Sequence, residues 1–361
     1  MRIGINAALL ESGQGYRQTG VSRYIGELID ALDHVIGPTD RIVRFGNRGR
    51  FIARRPALRI AWEQTGLPLS VLARRLDVFH GPLNVVPLAM RVPSVVTVHD
   101  LAFLRYPDSL PKARRAYMIS ATRLSARAAD QVIAVSQSTA DDLIAWLKLP
   151  QDKVTVIPEA PSPRVAPVSG TSLNVFRMKV GISRPYILAV GTLEPRKNLP
   201  FVLRAFAAVK DRIPHDLVLV GPEGWMTGEF TQTLADLDLG DRVRLTGFVS
   251  DAELGGWYSA ADVFVFPSLY EGFGLPTVEA MRCGTPVIAS NTSCFPEVVG
   301  DAGLLIAPTD GPAWSEAMIK VVTNTPLNDD LRRRSLERAT AFSWERTATE
   351  TLAVYRKAAA R

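Results

Sequence analysis

Two glutamates, Glu271 and Glu279, lie on either side of a glycine-containing turn that follows an apolar strand pattern. Gly272 and Gly274 permit positive φ angles and a close approach of a ligand to the backbone, and Pro276 suits the first turn of a new helix. Because the free N–H groups at a turn and helix start bind anions, the segment predicts a diphosphate site. Glu279 would then reach the sugar hydroxyls of a nucleotide, and Glu271 would face a transferred sugar.

A second candidate anion site is the basic turn that contains Arg196 and Lys197. It follows another strand pattern, bends at Gly191 and Pro195, and leads into a helix at Asn198. Adjacent cations at a helix start neutralise the charge of a diphosphate leaving group. The alternative for both segments is structural: each would connect a strand to a helix, with charges that face solvent or complement the helix dipole.

The first half of the chain places polar residues at predicted strand ends. His99 and Asp100 directly follow an apolar strand pattern, and His80 ends another. Ligands of α/β sheets bind at the carboxyl ends of the strands, so we interpret His99 and Asp100 as ligand-side residues, with Asp100 on the acceptor side. For His80, packing and contact with an acceptor stay open. Gly20, between the first strand and the first helix, predicts the edge of a binding cleft.

Apolar strands that alternate with helical patterns position these residues, and they predict βαβ units with parallel sheets covered on both faces. The predicted strands are residues 2–7, 41–45, 77–80, 94–98, 131–135, 153–157, 186–191, 216–221, 242–247, 262–267 and 285–290. The predicted helices are residues 21–32, 112–129, 139–147, 199–211, 230–239, 251–260, 276–283, 313–323, 329–341 and 344–360.

A proline-rich segment divides the two halves. Residues 158–170 contain four prolines within ten residues, which is typical of a linker. We therefore predict an α/β protein with two doubly wound, Rossmann-like domains, residues 1–165 and 166–343, followed by a terminal helix at 344–361. Two such domains would face each other across a cleft at the carboxyl ends of their strands.

Composition excludes several classes of protein. The chain has 361 residues, of which 47% are hydrophobic and 22% charged, so it is globular and long enough for two domains. It lacks a membrane-spanning apolar stretch and begins with a strand pattern where a signal segment would lie. Its two cysteines, Cys283 and Cys294, form no disulfide framework and have no metal-ligand spacing. These features favour a cytoplasmic location.

The charge is concentrated in the first half. Residues 1–170 carry 22 Lys and Arg against 14 Asp and Glu, whereas the remainder carries 20 against 22. A basic half attracts phosphates or an anionic membrane surface, and the alternative is a solvated arginine-rich face. Aromatic residues do not interleave with the arginines, so we expect no nucleic acid partner. Among these arginines are Arg48, Arg50, Arg54 and Arg55.

The combined motifs resemble glycosyltransferase family 4, whose retaining enzymes have the GT-B fold. The Glu-x7-Glu spacing of Glu271 and Glu279 carries the resemblance, which extends over nearly the whole chain. The other matching segments are Gly-Val-Ser-Arg-Tyr from Gly20, His-Asp at His99, and residues 135–139, 191–198, 246–249 and 296–297.

The resemblance implies a role for each matching residue. Glu279 would bind the donor ribose, and Glu271 would contact the donor sugar. Arg196 and Lys197 would stabilise the departing diphosphate. His99 would lie near the reacting sugar carbon and its hydroxyls. The terminal helix would cross back onto the first domain.

The resemblance also implies donor contacts around the diphosphate and the base. Backbone groups of Phe273, Gly274 and Leu275 would hold the diphosphate and sugar. Gly20, Gly191 and Gly272 would line the donor site. Phe248 and Val249 would border the base. Thr192 stands where many relatives have arginine, and we expect Arg196 to replace that contact.

These roles predict a retaining hexosyltransferase of polysaccharide biosynthesis. The first expectation is transfer of mannose from GDP-mannose to a glycan or a lipid-linked glycan, with peripheral contact at an anionic membrane. The alternatives are a UDP-sugar-dependent transferase, a nucleotide-sugar epimerase or phosphorylase on the same fold, and a non-catalytic nucleotide-sugar-binding subunit. Asp236 and Asp238 resemble a metal motif but lie in a helical pattern, so we expect neither a metal nor another cofactor.

Overall fold

The computed structural model describes residues 1–10, 20–46, 56–107, 110–224 and 227–360. It divides into unit 1, which comprises Met1–Ala160 with Ser343–Arg361, and unit 2, which comprises Pro161–Phe342. The arginines Arg48, Arg50, Arg54 and Arg55 lie outside the described residues. Every described helix is too short or too polar to cross a lipid bilayer.

Unit 1 is built on a parallel sheet whose strands follow the order β2-β1-β3-β4-β5-β6. The strands are β1 (Arg2–Asn6), β2 (Arg41–Phe45), β3 (Val78–Gly81), β4 (Ser94–Val98), β5 (Gln131–Ala134) and β6 (Val154–Val156). The helices are α1 (Val21–Val35), α2 (Pro56–Gln64), α3 (Gly66–Leu72), α4 (Ala102–Arg105), α5 (Lys112–Ala128), α6 (Gln137–Leu147) and α15 (Trp344–Ala359). Strands β3, β4 and β5 are buried at every residue, as expected for a parallel sheet covered on both faces.

Helix α15, the last of the chain, is part of the core of unit 1. Its residues Leu352 and Tyr355 pack into the same apolar cluster as Leu28 and Ile29 of α1. Ser343 caps the start of this helix, and its side chain accepts a hydrogen bond from the Arg346 N–H. Burial of each large apolar side chain stabilises this unit by roughly 1.5–3 kcal/mol, so the chain end is a structural part of the unit.

Unit 2 has a second parallel sheet, in the order β12-β11-β10-β7-β8-β9. The strands are β7 (Tyr186–Val190), β8 (Asp216–Val220), β9 (Val243–Gly247), β10 (Val263–Phe266), β11 (Val287–Ser290) and β12 (Gly303–Ile306). The helices are α7 (Gly170–Val180), α8 (Leu199–Ala207), α9 (Gly228–Asp236), α10 (Asp251–Ala260), α11 (Leu275–Arg282), α12 (Phe295–Val299), α13 (Gly311–Thr323) and α14 (Thr325–Ala339).

In each sheet the strand order reverses once, between β1 and β3 in unit 1 and between β7 and β10 in unit 2. The connections on the two sides of such a reversal leave in opposite directions, and a crevice opens at the carboxyl ends of the two strands. The α/β prediction of two doubly wound sheets is therefore confirmed.

The predicted strands are present within two residues at either end, and residues 157–169 contain neither helix nor strand. Several helix ends differ from the prediction. Helix α14 begins at Thr325, ahead of the predicted residue 329, because the Asn324 side chain accepts from the Leu327 N–H and caps it. Helix α9 ends before residue 239 because Asp238 has a positive φ of 42°, which a helix does not tolerate.

Among the α-helices and strands of the described residues, six were not predicted from the sequence patterns: α2, α3, α4, α7, α12 and β12. Helix α7 has no buried side chain, so it lacks the apolar stripe by which a helix is recognised. Strand β12 has only four residues, all half-buried. Short or exposed elements leave too weak a periodic signal to be separated from loops.

Candidate donor site at the strand reversal of unit 2

The two candidate anion segments of unit 2 meet because β7 and β10 are hydrogen-bonded neighbours. Arg196 and Lys197 follow β7 in a single helical turn, and Glu271 follows β10. The Leu269 N–H donates to the Arg196 carbonyl over 2.9 Å. The Asn198 side chain donates to the Pro267 carbonyl over 3.3 Å. The crevice at the strand reversal is thus lined by both segments.

Glu271 is the centre of a buried charged cluster. One carboxylate oxygen accepts hydrogen bonds from Lys197 Nζ and Ser268 Oγ, each over 2.6 Å. The other lies 2.8 Å from Arg196 Nη1. Burial alone would raise the pKa of Glu271, but Arg196, Lys197 and Ser268 together lower it to about 2. Glu271 is therefore a carboxylate at neutral pH.

Arg196 is held from several sides. Its guanidinium lies 2.6 Å from Glu194 Oε1 and donates to the Tyr270 carbonyl over 2.6 Å. The charges of Glu194 and Glu271 balance those of Arg196 and Lys197. A diphosphate that enters would compete with Glu271 for the two cations, so the cluster holds them in place before a ligand arrives.

The glycine turn forms the start of α11 as predicted. Gly274 has a φ of 79°, which lets its carbonyl accept from both the N–H and the hydroxyl of Thr277, over 2.9 and 2.7 Å. Phe273 is buried with its ring edge against Phe342, and Leu275 is the first residue of α11. The turn with Gly272 is therefore rigidly placed where it follows β10.

Glu279 lies on α11 and is almost completely buried, with 1% of its surface exposed. Its Oε2 accepts from the Tyr258 hydroxyl over 3.2 Å. The side chain is held in one orientation within unit 2. Its role as the ribose anchor stays a prediction.

The remaining residues that were predicted to line the donor site occupy three loops. Gly191 has a φ of 154°, which favours glycine, and the aliphatic carbons of Lys197 lie beside it, 3.4 Å or more from where a Cβ would be. Phe248 follows β9 with half of its surface exposed, next to half-buried Val249. Gly20 precedes α1 in unit 1 and has open space beside it.

In unit 1, both ring nitrogens of His99 have partners. Nδ1 lies 2.6 Å from Glu159 Oε1, and Nε2 lies 2.9 Å from the Pro82 carbonyl. Burial alone would lower the pKa of His99, but Glu159 and the Pro82 carbonyl, together with Asp100, raise it above its usual value. Asp100 also accepts from the Ala102 N–H over 3.0 Å, at the start of α4.

His80 packs inside unit 1 and has no exposed surface. Its Nδ1 is bonded to the Tyr355 hydroxyl over 2.6 Å and its Nε2 to the Thr97 hydroxyl over 2.8 Å. Burial lowers the pKa of His80 to about 3, so the ring is neutral. The structure gives His80 a packing role, and an acceptor could reach it only by breaking these bonds.

Glu159 contacts His99 but was not predicted from the sequence. Glu159 lies three residues after the end of β6, at the same edge of the sheet as His99. The sequence indicated it only as a carboxylate that lies between two prolines shortly after a strand. Asp236 and Asp238, by contrast, are exposed on the surface at the end of α9. Among the described residues, no three His, Cys, Asp or Glu side chains form a group that could hold a metal ion.

Comparison with known proteins places the chain in a family. Residues 18–160 match the family described as Glycosyltransferase Family 4, and residues 184–324 match Glycosyl transferases group 1. The chain is 32% identical to O-antigen chain mannosyltransferase B of Escherichia coli, over 94% of this chain and 93% of that protein. It is 31% identical to the MMP alpha-(1->4)-mannosyltransferase of Mycolicibacterium hassiacum, over 75% of this chain and 67% of that protein.

The fold is likewise shared with solved glycosyltransferase structures. The superposition on sucrose-phosphate synthase from Thermosynechococcus elongatus covers 99% of this chain and 98% of that chain, with a TM-score of 0.79 and 22% identity. Anabaena HepE in complex with UDP and glucose covers 98% of both chains, with a TM-score of 0.73 and 18% identity. Both likenesses concern the GT-B fold. With these matches, the charged cluster at the strand reversal lies in an enzyme that transfers hexosyl groups, and the chain belongs to glycosyltransferase family 4.

Proposed function

We propose that this chain is a retaining mannosyltransferase that transfers mannose from GDP-mannose to a glycan or lipid-linked glycan acceptor during polysaccharide synthesis. The main support for a donor site is the cluster of Arg196, Lys197 and Glu271, which lies beside the glycine turn at the strand reversal of unit 2. Two relatives that match most of this chain are named mannosyltransferases, and this supports mannose as the transferred sugar.

The proposed reaction is a front-side displacement. Arg196 and Lys197 neutralise the negative charge that grows on the departing diphosphate, and the acceptor attacks the sugar carbon from the same face. In this proposal Glu271 contacts the transferred sugar and is not the nucleophile, because its carboxylate is bonded to Arg196, Lys197 and Ser268. Catalysis then comes from positioning and from stabilisation of an oxocarbenium-like transition state.

The donor is tested by turnover of the purified chain with GDP-mannose, UDP-glucose and UDP-N-acetylglucosamine, each with a mannose-containing oligosaccharide acceptor. We expect release of GDP and an α-linked mannosyl product, detected by NMR. Turnover with a UDP-sugar alone would favour a UDP-dependent transferase. A product with inverted anomeric configuration would contradict the retaining mechanism.

The same assay distinguishes transfer from epimerisation, phosphorolysis and simple binding. An epimerase would convert the donor without an acceptor, and a phosphorylase would need free phosphate. A non-catalytic subunit would bind the nucleotide-sugar and leave it intact in the presence of any acceptor. Acceptor-dependent GDP release would exclude all three.

We propose further that transfer needs no metal, because Arg196 and Lys197 supply the positive charge that a metal would otherwise place on the diphosphate. Turnover should be unchanged by a chelator, and restoration of lost activity by Mg²⁺ or Mn²⁺ would contradict this.

We also propose that the basic first 170 residues bring the enzyme to the cytoplasmic face of an anionic membrane, where lipid-linked acceptors lie. Binding to liposomes that contain phosphatidylglycerol should weaken as salt is raised. Absent or salt-independent binding would contradict this contact.

A further inference from the structure

The His99 ring makes two hydrogen bonds that fix its protonation state. The Pro82 carbonyl oxygen can only accept, so Nε2, at 2.9 Å, carries a proton and donates it. Nδ1 faces a Glu159 carboxylate oxygen at 2.6 Å. This contact is as short as the short end of charge-assisted hydrogen bonds, in which an imidazolium N–H donates to an ionised carboxylate. A ring that donates from both nitrogens is an imidazolium cation.

Glu159 is positioned to stabilise the imidazolium form of His99 inside unit 1. Its side chain is 5% exposed and lies between Pro158 and Pro161, whose fixed φ angles restrict the backbone. The Pro158 carbonyl accepts from the Thr347 hydroxyl of α15 over 2.8 Å. A buried imidazolium would be costly alone, and the carboxylate at hydrogen-bond distance compensates its charge.

The other groups around His99 do not replace Glu159. The edge of the Tyr24 ring of α1 contacts the imidazole at 4.7 Å between ring centres. Asp100 follows in the same loop and is engaged with the Ala102 N–H. His80 of β3 is neutral and bonded to Tyr355 and Thr97. Glu159 is therefore the carboxylate that contacts the ring.

We propose that Glu159 is a positioning residue that holds His99 as a doubly donating imidazolium, so that His99 acts in transfer as a fixed cation and not as a proton acceptor. The part that concerns transfer rests on the proposed function, whereas the protonation state does not. As the sugar carbon exchanges its bond to the diphosphate for one to the acceptor oxygen, the acceptor hydroxyl proton must go elsewhere. It goes to an oxygen of the departing diphosphate.

The protonation state is tested by NMR titration of the histidine rings in the full chain, with the His99 signals assigned from the variant His99→Gln. We expect His99 in Glu159→Gln to lose its proton at lower pH than in the wild type, because the amide keeps the hydrogen bond but not the charge. Glu159→Asp keeps the carboxylate and should keep the ring charged.

Glu63→Gln is the matched control, since Glu63 is also a buried carboxylate of unit 1 and contacts Asn6. It should leave the titration of His99 unchanged. Equal titration of His99 in the wild type and in Glu159→Gln would overturn the proposal. So would a neutral His99 in the wild type at pH 7.

The effect on transfer is tested by kcat against pH. For Glu159→Gln we expect a rate close to that of the wild type at acidic pH, where His99 is charged in both, and a loss of about 10-fold or more at alkaline pH. A loss of the same size at every pH would indicate a merely structural role and overturn the proposal. If no donor is turned over at all, the proposed function fails, while the NMR titration still decides the state of His99.

Discussion

At the scale of single residues, Lys197 makes three distinct contacts at the candidate donor site. Its Nζ lies 2.6 Å from Glu271 Oε1 and 4.9 Å from the centre of the Phe266 ring. Its aliphatic carbons lie along Gly191. These contacts keep a compact positive charge at the strand reversal, where leaving-group charge would grow in the transition state.

Replacing Lys197 with alanine should therefore lower kcat by about 10²-fold or more, as for the loss of one preorganised electrostatic contact. The matched control is Lys179→Ala, because Lys179 forms an ion pair with Glu253 and is 63% exposed. Steady-state rates with GDP-mannose measure both variants. Near-normal turnover of Lys197→Ala would remove this residue from the mechanism.

Glu271 should make unit 2 sensitive to acid. Its pKa is lowered from the ordinary 4.5 to about 2 in the folded protein, so its stabilising charge is complete above about pH 4.5 and is lost as the pH falls toward 2. Glu271→Gln has no such charge. In urea unfolding, the variant should be less stable than the wild type at pH 7, and the difference should shrink as the pH is lowered. A difference that is constant from pH 7 to pH 3 would contradict this.

At the scale of elements, the start of α11 depends on a left-handed residue. Gly274 has a φ of 79°, and a Cβ there would lie 3.0 Å from Phe295 Cε1. The turn and the helix start are thus fixed by packing against α12. Gly284, at the other end of α11, has a similar φ of 71°, but its Cβ would make an ordinary contact of 3.6 Å with Leu336.

Gly274→Ala and Gly284→Ala form a matched pair. Each should lower the free energy of unfolding by about 1–2 kcal/mol, because an L-residue is strained at positive φ. Only Gly274→Ala should also weaken binding of GDP, since it displaces the turn that is proposed to hold the diphosphate. Urea unfolding and calorimetric titration measure the two effects. Equal GDP affinity in both variants would argue against a diphosphate site at this turn.

At the scale of the whole molecule, the chain end belongs to the unit that contains the chain start. The Tyr355 hydroxyl of α15 is bonded to His80 of β3, and α15 packs on α1. Unit 2 has a separate apolar core that contains Trp314 and Phe206. A substitution at Tyr355 should therefore destabilise the structure around His80 in unit 1 and leave α14, which precedes it in the sequence but belongs to unit 2, unchanged.

Tyr355→Phe tests this by hydrogen exchange measured with mass spectrometry. Losing the hydroxyl leaves a buried nitrogen of His80 without its partner, which should cost about 1–3 kcal/mol. Exchange should rise in α1, β1, β3 and β4 and stay unchanged in α13 and α14. The converse variant Trp314→Phe removes a buried indole that donates to the Ala307 carbonyl, and it should affect α13 and leave β3 unchanged. Changes spread evenly over both units in either variant would refute the separation.

The amino-acid sequence by itself determined the alternation of strands and helices, the glycine turn after β10 and the polar residues at strand ends. These features depend on local periodicity and on the backbone preferences of glycine and proline, which neighbouring residues suffice to specify. The same local information indicated Glu271, Arg196, Lys197 and His99 as candidates.

Only the tertiary structure decided which of these residues meet. Glu271 reaches Lys197, which is 74 residues away, because strand order makes β7 and β10 neighbours. Glu159 reaches His99, which is 60 residues away, across the edge of the first sheet, and Tyr355 reaches His80 over 275 residues. Such pairings follow from sheet order, register and the burial of whole faces, so no local pattern contains them.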